Sequence, residues 1–448
     1  MTELFFELIR IAIGTQERLS RVPSKKEWGR LFKMAERQRL LGICFYGVKK
    51  VASPKYDNEA SPKYDNDNDY DYDQSTTTIP GELYDYWLGT AALIQQQNQK
   101  VNNQCLEVSA KFQEAGIRYS ILKGQGIAQL YNEGRKTKDE RQNDSNSLGM
   151  FRQPGDIDVY VDCGREKAIE FADSIGQENA EWDYKHLHLK MFKDTEVEVH
   201  YRVEVLLNLW KNRKLQKWFK KHEEDMFSQQ GGLITPTIEF NLFYILLHIY
   251  RHFLYEGVGL RQLLDYFFVL QEYEKSEECR VKSEELVDLL RQFGMLRFAQ
   301  GVMWVLMHVF ECQNESLTPT PSPEGKGIYD NDKPTPNPHP SLHSPSRSLP
   351  LKGRENLNWR ERYPWMIVKP LESEGRFILH EVMQGGNFGK FDKRIKKGGK
   401  RSKLQAVSAV LQHNLHLLKH YPSDVIWAPI WIVYHWGWKK ATVLKSNV

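Results

Sequence analysis

Along the first fifty residues apolar side chains recur every three to four positions. Leu4, Phe5, Leu8, Ile9 and Ala12 fall on one helical face, and so do Trp28, Leu31, Ala35, Leu40 and Leu41, so residues 2–50 are expected to be helices. The same period runs through 81–115, where Leu83, Trp87, Ile94, Val101, Cys105, Val108 and Phe112 predict one long helix that Gly116 ends. There the period shortens to two. "IRYSILKG" predicts a strand entering a glycine turn, "GIAQLY" the start of a helix and "DIDVYV" a second strand. "REKAIEFADSIG" then predicts a helix, and "TEVEVHYRV" a further strand. Helical spacing returns over 236–312 and 371–445. This order predicts an α+β fold, with a small sheet core near 115–205 embedded in helices.

Interruptions in the pattern divide the chain. Residues 1–115 are expected to be a helical N-terminal region, interrupted at 52–79 by low-complexity sequence in which "ASPKYDN" occurs twice. Residues 116–235 hold the core, with a polar insertion at 132–149. A helical domain follows over 236–313, a Pro/Ser-rich disordered linker over 314–354, and a mostly helical C-terminal region over 355–448. Such polar, repetitive or proline-rich stretches bury too little apolar surface to order themselves. They are expected to be dispensable to any chemistry.

Composition narrows the classes. Sixty-two basic and 58 acidic side chains leave a net charge of +4 over 448 residues, so a polyanion partner would need a local site and nucleic acid is disfavoured. The run "KFDKRIKKGGKRSK" at 390–403 reads as a solvated basic face. Five widely spaced cysteines form no CxxC or Cys/His cluster. Glu3 and Glu7 stand where a signal peptide would be basic. The apolar window at 425–438 is too short to span a bilayer and contains Pro429; it reads as a buried C-terminal segment. A soluble, cytoplasmic chain without a transmembrane segment is expected.

The candidate chemistry lies on the period-two segments. Asp156 and Asp158 share one strand face while Ile157, Val159 and Val161 take the other. Glu196, Glu198 and His200 likewise alternate with Val197 and Val199. If the two strands are neighbours, carboxylates converge, and their mutual repulsion calls for a hard cation such as Mg²⁺. In "LKGQG", Gly124 and Gly126 allow close backbone approach to a phosphate beside a helix start. His248 and His252 share a helix face, but no third metal ligand is evident, and packing or substrate contact is the expectation.

Taken together, "ILKGQG", "RQPGDIDVYV" and "VEVHY" resemble the nucleotidyltransferase superfamily of DNA polymerase β type, and more closely a bacterial family of uncharacterised nucleotidyltransferases. The likeness rests on Leu122, Lys123, Gly124, Arg152, Gly155, Asp156, Asp158, Glu198 and His200, and more loosely on "HIYRHFLYEGVGLRQLLDY". Asp265 in that stretch matches a family position without a role that the sequence supplies. The resemblance implies a polymerase-β-type mixed sheet and a Mg²⁺-dependent enzyme, with one or two ions held by Asp156, Asp158 and Glu198. It would transfer a nucleoside monophosphate from an NTP such as ATP to an unknown acceptor hydroxyl (small molecule, peptide or protein), releasing pyrophosphate. Lys123, Gly124, Gly126 and Arg152 would hold the phosphates, although Lys123 and Arg152 are also candidates to neutralise the acidic pair. Gln125 stands where the superfamily carries Ser, which motivates the alternative of a catalytically inactive nucleotide-binding or interaction module with the same fold.

Overall fold

The computed structural model describes residues 1–55, 77–132, 147–230, 232–275, 283–311, 358–386 and 416–446. The amphipathic start folds as α1 (Thr2–Ile13), α2 (Lys25–Arg37) and α3 (Leu41–Val51). Ser24 and Glu27 bond to each other's backbone N–H groups at the start of α2, a reciprocal cap that satisfies two otherwise free donors. The ends of the expected low-complexity insertion are ordered: β1 (Ala52–Lys55) and β2 (Thr77–Pro80) pair in parallel. Helix α4 (Gly81–Glu114) runs the length its apolar period predicts, and Gly116 follows it with a φ of 65°, a left-handed value that glycine adopts without steric cost.

Four strands form the sheet on which the site is built. They are β3 (Tyr119–Leu122), β4 (Ile157–Val161), β5 (His186–Leu189) and β6 (Val197–His200), in the order β3-β4-β6-β5. Helix α5 (Gly124–Ala128) follows β3, and α6 (Gly164–Ser174) follows β4. β4 and β6 are parallel neighbours, flanked by antiparallel β3 and β5. One face is apolar: Ile121, Ile157, Val159, Leu187 and Val199 pack with Cys105 and Phe112 of α4 and with Phe171 of α6. The other face carries Asp158, Glu198, His186, His188 and His200, because side chains alternate along each strand.

That polar face looks toward the helices that follow. After α7 (Leu209–Lys221) and the short strands β7 (Ser228–Gln230) and β8 (Leu233–Thr235), it is α8 (Ile238–Tyr255) and α9 (Leu260–Glu274) whose residues face it across a cavity. Thr237 caps α8 by accepting from Phe240 N. Helices Ser283–Phe293, Leu296–Phe310 and Glu372–Gly385 continue the helical part. Its large core includes Phe5, Phe45, Trp87, Tyr244, Phe267 and Trp304. Among the described residues no single helix is long and apolar enough to cross a membrane.

The C-terminal expectation needs correcting. Trp427–Ser446 is helical, and Ile430, Ile432, Val433 and Trp436 are exposed rather than buried. Pro429 does not break this helix because it lies in the first turn, where its missing N–H has no intrahelical partner. Aromatic contacts hold the helix to the region before β5: Trp438 lies edge-on to Trp182 and Tyr184, and Trp431 to Tyr184. The middle of the 52–79 insertion, most of the 132–149 insertion, the 314–354 linker and the basic run 390–403 lie outside the described residues.

Candidate active site

Strand register brings the carboxylates together. Asp158 is the direct partner of Glu198 across the parallel β4–β6 pair, and Glu198 is in turn the partner of His188 on β5. Asp156 stands just ahead of β4, where Ile157 N–H donates to Glu196 O (2.9 Å). Asp156, Asp158 and Glu198 line a cavity of about 620 Å³ between the polar sheet face and the helices. Glu196 does not line it; this exposed side chain lies 2.6 Å from His188 Nδ1.

Partners differ sharply along this row. Burial works against the Asp158 carboxylate, yet Lys123 and a hydrogen bond from His200 outweigh it and hold its pKa well below the ordinary value. Lys123 Nζ is 2.9 Å from Asp158 Oδ1, and the wholly buried His200 places Nε2 2.9 Å from the same oxygen and 3.3 Å from Glu198 Oε2. His200 thus braces both carboxylates. Asp156 has no ion-pair partner among the described residues. Burial raises its pKa, and the charges of Asp158, Glu198 and Glu196 raise it further.

The turn after β3 holds Lys123 and Gly124 at φ values of 50° and 34°. Positive φ is costly for lysine and marks a backbone constrained by its surroundings. Both residues line the cavity. Gly126, expected at the phosphate cradle, is not among the lining residues. A Cβ there would sit 3.0 Å from Ile121 O and 3.2 Å from Thr235 Cγ2, so close packing between the turn and β8 accounts for this glycine. Gln125 is buried, and its amide donates to Asn102 on α4.

Arg152 reaches neither aspartate. It is 3% exposed and donates to both oxygens of Asp265 (2.7 Å each), and Tyr131 O–H donates to the same carboxylate (2.7 Å). Bidentate guanidinium–carboxylate geometry explains the preference. Asp265, without a role from sequence alone, is therefore the partner of Arg152, and both still line the cavity. Asn98 of α4 secures the same loop by donating to Met150 O and Arg152 O.

The wall from α8 is also charged. Fully buried Glu204 lies 2.9 Å from His248 Nδ1, 3.0 Å from Arg251 Nε and 3.4 Å from Lys185 Nζ. Burial opposes its ionisation, but Lys185, Arg251 and His248 prevail and keep its pKa well below the usual range. Burial lowers the pKa of His248 and of His252, and Lys123 adds to the effect at His248. Both histidines line the cavity, with Glu204 and Glu256 as their partners, and among the described residues they belong to no metal-ligand group.

Among the described residues two donor sets could hold an ion: His186 with Glu198 and His200, and His188 with Glu196 and Glu198, the ligand atoms of each lying within 4.8 Å of one another. The trio Asp156, Asp158 and Glu198 is not one of these sets, and Glu198 is shared by all three. Strand β5, with His186, His188 and the neighbouring Lys185, was missed by sequence reasoning. The alternation in "HLHL" was the available signal.

Carboxylates and cations facing one cleft define a class of site built for charged ligands. The sequence profile of a family described as an uncharacterised nucleotidyltransferase matches residues 24–139 and 148–311, and the chain belongs to that family. In coarse terms it is therefore a transferase. The break in the match falls within the polar insertion, and residues 312–448 lie beyond it. No curated protein and no solved structure matches the chain.

Proposed function

We propose that the protein transfers a nucleoside monophosphate from an NTP to an acceptor hydroxyl and releases pyrophosphate, with Mg²⁺ as cofactor, on a sheet of polymerase-β type. One observation carries this reading: Asp158 and Glu198 face each other across adjacent strands, with Asp156 one step upstream, on the cavity wall beside the Lys123–Gly124 turn.

In donor chemistry, though not as a closed set of ligand atoms, the three carboxylates suit a hard divalent cation. Asp156, Asp158 and Glu198 offer carboxylate oxygens; burial raises the Asp156 pKa first and the neighbouring carboxylates add to it, and a bound cation would offset that added repulsion. When bound, the ion would counter the negative charge on the α-phosphate oxygens and on the departing pyrophosphate while the acceptor oxygen bonds to the α-phosphorus. The chain's own groups do the rest. Glu198 accepts the proton of the acceptor hydroxyl. Lys123 and Arg152 counter the charge of the terminal phosphates, and Gly124 lets the backbone approach them. His200 orients Asp158 and Glu198, and the helical wall shapes the acceptor pocket.

The test is Mg²⁺-dependent pyrophosphate release from NTPs across an acceptor panel, repeated with Asp156→Asn and Asp158→Asn together. Activity lost in the double variant is expected; unchanged turnover removes both residues from the mechanism. A second reading, a nucleotide-binding module without chemistry, is favoured by Gln125, whose amide serves α4 rather than the cavity. It predicts nucleotide binding that survives loss of the carboxylates, and no nucleotide mass added to any partner by mass spectrometry.

A further inference from the structure

Arg39, in the turn between α2 and α3, Arg152, before β4, and Arg261, in the first turn of α9, come from segments far apart in sequence and line the same cavity. Of the three, Arg39 and Arg261 have poorly compensated charges. Asp265 is taken up by Arg152 and Tyr131. Arg261 instead donates to backbone, at 2.7 Å to Gln153 O. Arg39 makes no side-chain hydrogen bond or ion pair among the described residues, and its backbone is held at a φ of 57°, a conformation costly for a side chain of this size. Two buried donors are left without an acceptor: Arg152 Nη1 and Arg261 Nε, on side chains 3% and 9% exposed. Unsatisfied buried guanidinium groups are expensive in the absence of a ligand. Burial, with repulsion from Arg152 and Arg39, lowers the Arg261 pKa to about 10.

We propose that Arg39, Arg152 and Arg261 form a binding site for a phosphate-class oxyanion. Planar guanidinium donors match the oxygens of a phosphate, and an anion there would satisfy the two orphaned donors and the uncompensated charge together. The oxyanion comes either from the terminal phosphates of the nucleotide or from an acceptor that carries its own phosphate group. Only the first source rests on the nucleotidyltransferase reading.

The experiment is titration calorimetry of the full chain with inorganic pyrophosphate and inorganic phosphate in EDTA. The wild type, Asp156→Asn/Asp158→Asn, Arg39→Gln and Arg261→Gln are compared, with circular dichroism confirming the fold. Pyrophosphate is expected to bind the carboxylate double variant at least as tightly as the wild type, and to bind about tenfold or more weakly to each arginine variant. This separates the site from transfer chemistry, since the carboxylate variant fails as an enzyme while still binding the anion. Should Arg261→Gln not fold, Arg39→Gln decides, because that side chain holds no partner among the described residues. ATP and AMP distinguish the sources. ATP affinity that falls with pyrophosphate affinity while AMP is unaffected assigns the site to the nucleotide. Inorganic phosphate binding that persists under saturating ATP, and weakens in Arg39→Gln, assigns it to the acceptor. Absence of binding by either inorganic anion, or binding unchanged in both arginine variants, overturns the proposal.

Discussion

Replacing Asp265 by Asn keeps the size of the side chain and one acceptor oxygen but removes its charge. Arg152, 3% exposed and bonded through two nitrogens to this carboxylate, then becomes an unpaired buried cation beside Arg261. Removing one member of a buried ion pair costs roughly 3–5 kcal/mol, much of it the desolvation of the partner left behind. At about 2–4 °C per kcal/mol for a large domain, the melting temperature of Asp265→Asn should fall by on the order of 6–20 °C. Thermal unfolding by circular dichroism measures it. The control is Arg152→Gln with Asp265→Asn, which removes both charges and should recover part of the loss. Pyrophosphate should raise the melting temperature of Asp265→Asn more than that of the wild type, since an oxyanion can stand in for the lost carboxylate. A single variant melting within about 2 °C of wild type, or a double variant as unstable as the two singles added together, would refute the account.

Other expectations follow from the same geometry. His200→Gln should weaken Mn²⁺ affinity about 10- to 100-fold, as loss of a ligand-orienting group does; calorimetry giving an unchanged affinity would leave His200 a packing residue. Gly42→Ala places a Cβ 2.2 Å from Phe151 O, which is backbone and cannot swing aside, so urea unfolding should show a loss of about 1–3 kcal/mol or more. Gly29→Ala, with open space around its Cβ, should instead stabilise α2 by about 0.5–1 kcal/mol. For pH, His248 faces Glu204, Lys123 and His252, and burial lowers its folded pKa. The unfolded chain therefore binds the proton first. Stability from His248 and His252 is full above about pH 6.5 and declines as pH falls below it. His186, held at about 4 by burial and by His200, adds to the same slope. Urea titrations between pH 8 and 5 should show this decline, made shallower by His248→Asn; an equal slope in the variant would contradict the assignment.

What the sequence disclosed was whatever local period encodes. The strands around Ile121, Val159 and Val199 and the long helix ending at Gly116 were legible because each repeats a spacing over several residues. The facing of Asp158 and Glu198 followed from alternation once the strands were taken as neighbours. Strand β5 was not legible: its four residues, two of them histidine, give period two with little β-branched content. Glu204 left no trace either, and Arg152 and Asp265, each matched to the family, gave no sign that they pair. Their partners lie as far as 134 positions away, and pairing across the fold imposes no spacing on the chain. Gly126 shows the opposite failure. A glycine after a strand fits a phosphate cradle and a tight packing contact equally well, and only Thr235, brought in by β8, tells them apart.

The two ends of the charge pattern also bear on each other. Without ligands, Asp158 is countered by Lys123, and Arg152 by Asp265, so either a cation or an anion binding alone must compete with an internal partner. What remains uncompensated is Asp156 on one side and Arg39 with Arg261 on the other. A ligand bearing both charges, a divalent ion held by a triphosphate, meets both sides at once and lets Lys123 turn from Asp158 to phosphate. Metal and nucleotide should therefore bind cooperatively, and linkage requires each to strengthen the other by the same factor, typically 5- to 150-fold. Titrating Mg²⁺ against NTP-loaded and free protein, and NTP against Mg²⁺-loaded and free protein, gives that factor twice, after correction for the Mg²⁺–NTP complex in solution. A factor near one in both directions would mean that Lys123 and the carboxylate row act independently, and that the cavity is two separate ion sites rather than one.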